Sequence, residues 1–481
     1  METANRTKIV CTLGPATEDD EVLRNMIRSG MSVARLNFSH GDHAYHKENI
    51  ERVRRIAKEL GTTIAVLADT RGPEIRCGLN KDHEPVLLYT GSHTTLCTTP
   101  TEGTSEHIFI TFEGLPAAVA PGTHIFMDDG LIELEVNSTT ETTIECTVIN
   151  GGILGERKGL NVPNVVTAMP SVTDVDRKDI QFACEMHVDA IAASFICDGD
   201  AVREIKALCK QYGSPETLVF SKIESALSIR NFDAILRESD GIMVARGDLG
   251  VEIPPAEVPY TQKYIIERCN QSYKPVITAT QMLDSMMSNP RPTRAEVTDV
   301  ANAIFDGTDC VMLSGETAAG NFPVEAVRMM AEVCVQAEKH LTERETYHMR
   351  EGLHNVSSAT TFAAVQTAQR VGAVAILCPT SSGRTARTMS VFRPHVPIIA
   401  TTHVENTLRR TCFYWGVTAL LVEEESGLTA TYYGAIRGAK DAGFIKSDDV
   451  VIITAGDPLL SPMSGVSYET ATNVCMVAQV M

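Results

Sequence analysis

The stretch GIMVARGDLGVE, residues 241–252, begins as an apolar run and ends with an arginine, two glycines and acidic residues. The run at 242–245 is typical of a strand buried on both faces, as in a parallel sheet. In α/β enzymes built on parallel sheets, functional residues follow the carboxyl ends of the strands. The charged end of this stretch therefore predicts a parallel sheet with a site at one edge of it.

Similar apolar, β-branched runs recur along the chain, with amphipathic helical stretches such as 18–29, 43–60 and 323–340 between most of them. This alternation indicates parallel βα units, because parallel strands need a crossover connection. Eight such runs, most of them starting about 24 to 34 residues apart, favour a (β/α)8 TIM barrel over a doubly wound open sheet. The predicted strands are 8–13, 32–36, 64–69, 190–194, 218–222, 242–246, 276–280 and 310–314.

Two other regions depart from this rhythm. Between the third and fourth strands, short alternating strands with Gly, Asp and Asn turns predict an inserted all-β domain, a small antiparallel barrel or sandwich, at 74–169. It leaves the carboxyl face of the barrel and is therefore placed to act as a lid. From 342 to 481, helices and strands alternate again and predict a C-terminal α/β domain with an open sheet. The barrel is then formed by 1–73 and 170–341.

The composition excludes several classes of protein. A formal net charge of -19 over 481 residues argues against a nucleic-acid binder. No apolar run of roughly 18 residues and no apolar signal core occur, so we expect no membrane association. The 13 cysteines lie scattered without a CxxC pair, as is typical of reduced thiols in a cytoplasmic protein.

Polar and charged residues follow nearly every predicted barrel strand. A single charged residue at a strand end is commonly solvated or salt-bridged. A ring of them around one barrel mouth is costly unless metals, substrates or opposite charges satisfy it. These residues are Arg35, Asn37, Ser39, His40, Asp69, Thr70, Arg76, Lys222, Glu224, Arg246, Gly247, Asp248 and Thr280.

The residue types at these strand ends suit an anionic substrate. Glu224 and Asp248 offer the oxygen ligands that Mg²⁺ or Mn²⁺ prefers. Lys222 projects to the same side of its strand as Glu224, which suggests stabilisation of a phosphoryl group or an enolate. Neutral oxygens and one carboxylate suit a monovalent cation, and guanidinium groups suit phosphate. The cation set is Asn37, Ser39, Asp69 and Thr70, and the guanidinium groups are those of Arg35 and Arg76.

Long segments of the chain strongly resemble the pyruvate kinase family. They run in order from about 7 to 330, and the α/β segment that follows resembles the regulatory domain of that family. The resemblance implies phosphoryl transfer from phosphoenolpyruvate to ADP, giving pyruvate and ATP in the final step of glycolysis. The segments are TKIVCTLGPA, ARLNFSHG, LADTRGPEIR, RKGLNVP, SKIES, GIMVARGDLGVEIP, TATQMLDSM and PRPTRAEVTDVANAIFDGTDCVMLSGETA.

The resemblance implies a role for each matched position. Arg35 and Lys222 would hold the transferring phosphoryl group, with Lys222 the main stabiliser of the transition state. The backbone of Gly247 and Asp248, with Thr280, would hold the substrate carboxylate, and Thr280 would lie on the path of the proton to the enolate. Mg²⁺ or Mn²⁺ would bind Glu224 and Asp248; K⁺ would bind Asn37, Ser39, Asp69 and Thr70; the nucleotide would contact Asn37, His40, Arg76 and Lys158.

Some positions refine or depart from the family pattern. Arg71 stands where the family usually has lysine, and Ser225 where asparagine is common. Glu74 matches members that require K⁺, so we expect K⁺ dependence. The loop of Thr380, Ser381, Ser382, Gly383, Arg384 and Thr385 resembles the pocket for an effector phosphate, and helix-terminus amides favour that ligand.

The last long loop, at 455–473, lacks the tryptophan and arginine of animal-type fructose-bisphosphate sites. The effector is therefore open between a sugar phosphate and a nucleoside monophosphate. The family usually forms homotetramers. Two alternatives remain beside a kinase: a metal-dependent aldolase or lyase acting on pyruvate, and a non-catalytic phosphometabolite sensor.

Overall fold

The computed structural model describes residues 5–165, 169–341, 355–456 and 471–481. Within these ranges, no helix is both long and apolar enough to cross a membrane. The predicted domain boundary at 342 and most of the loop at 455–473 lie outside the described residues. The domain limits near 74, 170 and 342 stay predictions.

The chain begins with three parallel strands and two helices. Each helix starts at an aspartate whose carboxylate accepts a backbone N–H of the first turn, Asp19 for the first helix and Asp42 for the second. These elements are β1 (Lys8–Thr12), α1 (Asp20–Arg28), β2 (Met31–Asn37), α2 (His43–Glu59) and β3 (Ala65–Asp69).

An inserted all-β domain follows β3. Seven of its strands form one sheet, ordered β4-β12-β8-β9-β10-β6-β7, and a bridge between Cys77 and Ile110 joins its two edges. β6 and β7 pair in parallel, whereas the alternation predicted antiparallel strands. The elements are β4 (Ile75–Arg76), β5 (Val86–Leu88), β6 (His93–Cys97), β7 (His107–Phe109), α3 (Leu115–Ala118), β8 (His124–Met127), β9 (Ile132–Thr139), β10 (Thr143–Asn150), β11 (Gly152–Leu154) and β12 (Gly159–Asn161).

Five more βα units then complete a closed parallel barrel, ordered β1-β17-β16-β15-β14-β13-β3-β2. The prediction of an eight-stranded (β/α)8 barrel with an inserted domain is therefore confirmed. The elements are α4 (Asp174–Glu185), β13 (Ala190–Ala193), α5 (Gly199–Gln211), β14 (Leu218–Ile223), α6 (Ala226–Arg230), α7 (Phe232–Glu238), β15 (Gly241–Ala245), α8 (Arg246–Glu252), α9 (Val258–Gln271), β16 (Val276–Ala279), α10 (Arg294–Asp306), β17 (Cys310–Leu313), α11 (Gly315–Ala318) and α12 (Pro323–Glu338).

The barrel strands are buried on both faces, as the opening stretch predicted. Along β15, Met243 packs into the cluster inside the barrel, while Ile242 and Val244 pack into the cluster beneath the helices. The prediction that this strand extends to Arg246 is wrong, because β15 ends at Ala245 and Arg246 begins the short helix α8. The charged end of the stretch is thus a strand-to-helix turn at the barrel mouth.

The C-terminal domain is an α/β domain with an open five-stranded sheet, ordered β20-β19-β18-β21-β22. Its last strand is antiparallel to β21 and was missed from sequence. The elements are α13 (Val356–Val371), β18 (Ala375–Pro379), α14 (Arg384–Val391), β19 (Ile398–Thr402), α15 (Glu405–Arg410), β20 (Val417–Leu421), α16 (Leu428–Asp441), β21 (Val450–Ala455) and β22 (Val474–Gln479).

The C-terminal domain packs on the amino-terminal face of the barrel, opposite the mouth. Arg393 pairs with Asp309, which precedes β17, at 2.8 Å, and Arg409 pairs with Asp189, which precedes β13, at 2.7 Å. The guanidinium of Arg393 also lies 4.9 Å from the ring centre of Trp415, the single tryptophan of the chain. Buried pairs of this kind fix the two domains in one relative position.

Candidate active site

The ammonium of Lys222 lies at the centre of the barrel mouth, among acidic groups. Its Nζ is 2.8 Å from Glu224 Oε1, 3.2 Å from Asp69 Oδ1 and 2.7 Å from the hydroxyl of Ser194. Burial by itself would lower the pKa of Lys222, but Asp69, Glu224 and Asp248 raise it well above its ordinary value. The lysine is therefore charged throughout the physiological range.

Arg35, at the end of β2, is held by two neighbouring side chains. Its Nε donates to Asp69 Oδ2 at 2.6 Å, and its Nη1 donates to the hydroxyl of Thr12 at 2.9 Å. Burial would raise the pKa of Asp69, yet Arg35 and Lys222 together hold that pKa below its ordinary value. One buried carboxylate thus orients both cations that were predicted to hold a phosphoryl group.

The two predicted Mg²⁺ ligands lie close enough to repel each other. Glu224 is 1% exposed, and its Oε2 accepts the backbone N–H of Phe195 at 2.6 Å. Burial raises the pKa of Glu224 to about 7, Lys222 opposes this, and repulsion by Asp248 adds to it. Two neighbouring carboxylates, one of them buried, repel each other unless a cation binds between them, and a divalent ion would offset this repulsion. The donor chemistry therefore fits Mg²⁺.

These two carboxylates do not form a complete cage. In the ranges that the structure describes, no three His, Cys, Asp or Glu side chains cluster so that they could hold a metal. A site with two protein carboxylates leaves positions for water and for substrate phosphate, as is usual for Mg²⁺ in phosphoryl-transfer enzymes.

Thr280 follows β16 with a φ of 66°, a left-handed conformation that is a marked outlier for a β-branched residue. Its hydroxyl accepts the N–H of Gly247 at 2.7 Å, and its carbonyl accepts Nη2 of Arg246 at 2.7 Å. These bonds join Thr280 to the first turn of α8, which carries Asp248. The predicted carboxylate-binding groups are thus adjacent, with the Gly247 N–H directed at Thr280.

The predicted K⁺ ligands come from two adjacent strand ends. Asn37 and Asp69 are register partners at the ends of β2 and β3. Ser39 donates its backbone N–H to Asn37 Oδ1 at 3.1 Å, and Thr70 follows Asp69 directly. One carboxylate with neutral oxygens around it suits a monovalent cation. The structure therefore brings this set together.

The predicted nucleotide contacts surround the same mouth less tightly. Arg76 ends β4 of the inserted domain, and Lys158 immediately precedes β12, the strand that pairs with β4. Arg76 Nε donates to Glu74 at 2.6 Å, and Lys158 Nζ lies 2.8 Å from Asp128 Oδ1. Both side chains remain more than two-fifths exposed. His40 is also exposed, on the loop that follows β2.

The inserted domain lies against the barrel mouth. Asn161 in β12 donates to Glu252 in α8 at 3.4 Å. Burial raises the pKa of Asp129, and repulsion by Asp248 adds to that increase, so this turn of the inserted domain faces the proposed metal ligands. The inserted domain therefore lies at the carboxyl end of the barrel, where a lid would have to lie.

The predicted effector loop lies in the C-terminal domain, away from the mouth. It joins β18 to α14, and the N–H of Gly383 donates to the Thr380 hydroxyl at 2.9 Å. The loop borders a cavity of 520 Å³. Ser381, Ser382 and Arg384 line this cavity and are exposed, while Thr385 bonds to Thr472 at 2.9 Å.

Several residues at the mouth escaped the sequence analysis. Ser194 and Phe195 follow β13 and contact Lys222 and Glu224, respectively. Their position at the end of a barrel strand is the one at which the other site residues were predicted. Serine and phenylalanine were not predicted because they are not typical ligands of a metal or a phosphate. The buried hydroxyl of Ser314, after β17, has no hydrogen-bond partner among the described residues.

Comparison with known proteins identifies the family. Residues 4–327 match the model of the pyruvate kinase barrel domain, and residues 358–478 match that of the pyruvate kinase alpha/beta domain. The chain belongs to the pyruvate kinase family. It is 45% identical to the pyruvate kinase of Geobacillus stearothermophilus over 94% of this chain and 78% of that protein. The pyruvate kinase of Staphylococcus saprophyticus is 46% identical over the same shares.

Membership of the pyruvate kinase family settles the class of reaction. The chain is a phosphotransferase that acts on phosphoenolpyruvate and ADP and produces pyruvate and ATP. This result favours the kinase over the aldolase and sensor alternatives.

We predict that Lys222→Met lowers the kcat of phosphoryl transfer by about three to five orders of magnitude, as for other cations that neutralise a transferring phosphoryl group. The fold should be retained, because Arg35 still pairs with Asp69 and Glu224 can take up a proton. Steady-state ATP formation and circular dichroism check both parts. Lys206→Met, which removes a lysine paired with Asp240 outside the mouth, serves as the control. Near-normal turnover of the Lys222 variant would contradict the role.

Proposed function

We propose that the barrel mouth transfers the phosphoryl group by charge neutralisation and positioning, with Mg²⁺ held by Glu224 and Asp248. The supporting observation is the position of the Lys222 ammonium between Glu224 and Asp69, with Asp248 acting on the same group. When bound, the metal would supply positive charge that neutralises phosphate. Mn²⁺ would suit the same oxygen ligands.

Arg35 and Lys222 act on the phosphoryl group in different ways. The guanidinium of Arg35 is fixed by Asp69 and Thr12, so its planar fork is preorganised to donate to phosphate oxygens. Lys222 acts as a compact charge near the transferring group, where charge spreads over three oxygens in the transition state. Holding both cations before the substrate arrives removes part of the cost of ordering them.

The substrate carboxylate binds, in this proposal, beside the backbone of Gly247 and Asp248 and the hydroxyl of Thr280. A Cβ at position 247 would lie 3.5 Å from the Thr280 hydroxyl, an ordinary van der Waals contact, so glycine here leaves space beside Thr280 for the substrate carboxylate. Thr280 also donates its hydroxyl proton to Ala279 O at 2.7 Å. A relay through this hydroxyl or through a bound water would deliver the proton to the enolate.

ADP binds between the mouth and the inserted domain. Arg76 and Lys158 are exposed cations on neighbouring strands, and both now pair with acidic residues that a nucleotide phosphate could replace. Asn37 and His40 complete the set from the loop after β2. The contact of Asn161 with Glu252 supports this position, because it brings the inserted domain against α8, the helix that carries Asp248.

We predict that turnover requires K⁺. Asn37, Ser39, Asp69 and Thr70 provide one carboxylate and neutral oxygens, which suit a monovalent ion next to the phosphoryl-binding cations. Initial rates in KCl, NaCl and tetramethylammonium chloride at equal ionic strength measure the requirement. Rates should be highest in K⁺ and near zero in tetramethylammonium. Full activity without any K⁺ or similar ion would contradict the assignment.

We further propose that the loop of Thr380, Ser381, Ser382, Gly383, Arg384 and Thr385 binds the phosphate of an allosteric effector. The loop precedes the amino terminus of α14, where free N–H groups and the helix dipole favour anions. A cavity beside it has room for a phosphorylated metabolite. A homotetramer would let this site communicate with the mouths of other subunits.

Ser382→Asp should abolish the response to effectors, because a fixed negative charge in the loop repels phosphate. The measurement is the phosphoenolpyruvate concentration for half-maximal rate, with and without ribose 5-phosphate, glucose 6-phosphate or AMP. Basal activity should be unchanged, since the loop lies far from the mouth. Ser447→Asp, at an exposed serine of the same domain, is the matched control. An unchanged response of the Ser382 variant to an effector of the wild type would refute the site.

A further inference from the structure

Ser194 makes four polar contacts at the centre of the mouth. Its hydroxyl accepts a hydrogen bond from Lys222 Nζ at 2.7 Å and donates to the carbonyl of Thr70 at 2.6 Å. Its oxygen also lies 3.4 Å from Asp69 Oδ1. The backbone N–H of Ser194 donates to the hydroxyl of Thr70 at 3.1 Å. Ser194 therefore joins the phosphoryl-binding lysine to two of the proposed K⁺ ligands.

The geometry leaves the hydroxyl of Ser194 little choice of orientation. A serine hydroxyl has one hydrogen and two lone pairs. When that hydrogen is directed at the Thr70 carbonyl, a lone pair remains for Lys222. The lysine ammonium has three hydrogens, and its three contacts are Ser194, Asp69 and Glu224. Of these three partners of the ammonium, Ser194 is the uncharged one.

Loss of the neutral member would change the balance of forces on the ammonium. Without the Ser194 hydroxyl, the Lys222 ammonium would be attracted by Asp69 and Glu224 alone, and its third hydrogen would have no partner from Ser194. A displacement of about 1 Å in a group that neutralises a phosphoryl transition state is costly to catalysis. The carbonyl of Thr70 would also lose the hydrogen bond that it accepts from Ser194.

The turn that carries Ser194 is itself fixed. The next residue, Phe195, has a φ of 53° and donates its N–H to Glu224 at 2.6 Å. On the other side, a Cβ added to Gly72 would lie 2.8 Å from the Cβ of Ser194, so the two chain segments are in close contact. Ser194 is thus a rigid support for the lysine.

We infer that Ser194 is a positioning residue for phosphoryl transfer, which holds the Lys222 ammonium and couples it to the monovalent cation set through Thr70. The inference rests on the function proposed above for Lys222 and for that set. Ser194 acts through its neighbours and is not assigned any contact with substrate.

The test compares Ser194→Ala with Ser221→Ala. Ser221 is an equally buried serine in β14, but its hydroxyl bonds to Ser239 at 2.7 Å, away from the mouth. Ser194→Ala should lower kcat by about tenfold to a hundredfold, the effect of losing one charge-assisted hydrogen bond. It should raise the K⁺ concentration for half-maximal rate and leave the KM for phosphoenolpyruvate within about twofold. The control should change none of these.

Fluorescence of Trp415 during thermal unfolding reports whether each variant is folded. Should Ser194→Ala fail to fold, Ser194→Cys keeps the shape but accepts hydrogen bonds weakly, and its kcat should fall by at least about fivefold. A kcat and a K⁺ requirement both within about twofold of wild type, in a folded variant, would overturn the inference. Absence of ATP formation by the wild-type protein would instead overturn the proposed function itself.

Discussion

The positive charge of Lys222 sits inside a buried mouth that also contains Glu224, Asp69 and Asp248. Without that charge the carboxylates would repel one another, and without the carboxylates a buried ammonium would lose its proton. Burial and Asp248 raise the pKa of Glu224 even though Lys222 opposes them, which supports the proposal of a divalent cation at this position. Substrates with several negative charges then enter a site where Arg35 and Lys222, and in our proposal a divalent ion, neutralise part of the repulsion. The protein as a whole carries a net charge of -19.

The barrel provides the geometry for this arrangement. Parallel strands bring residues that are distant in sequence to one edge, so β2, β3, β13, β14 and β16 each contribute a side chain or amide to the mouth. Strained backbone at Phe195 and Thr280 aims an N–H at Glu224 and a hydroxyl at Gly247. The inserted domain covers this edge, while the C-terminal domain is held on the opposite face through Asp189 and Asp309. The mouth and the C-terminal domain, which carries the proposed effector loop, thereby lie on opposite faces of the barrel.

Much of this organisation could be predicted from the sequence. Buried apolar runs with polar ends identified all eight barrel strands, and Lys222, Glu224 and Asp248 followed from the strand-end rule. Other features depend on tertiary contacts that a residue's type does not reveal. Ser194 is a small residue whose importance comes from its partners, Arg246 continues a strand-like run but starts α8, and β22 is an edge strand defined by its pairing with β21. The parallel pairing of β6 and β7 likewise depends on how the inserted sheet closes.

The most direct measurement of the central claim is Mn²⁺ binding to the substrate-free protein, followed by electron paramagnetic resonance. The wild-type chain should bind one tight ion, and Glu224→Gln and Asp248→Asn should each weaken its binding by about tenfold or more. Glu252→Gln, which changes a nearby carboxylate bonded to Asn161, should leave the affinity nearly unchanged. Equal affinity of wild type and both ligand variants would contradict a shared divalent site beside Lys222.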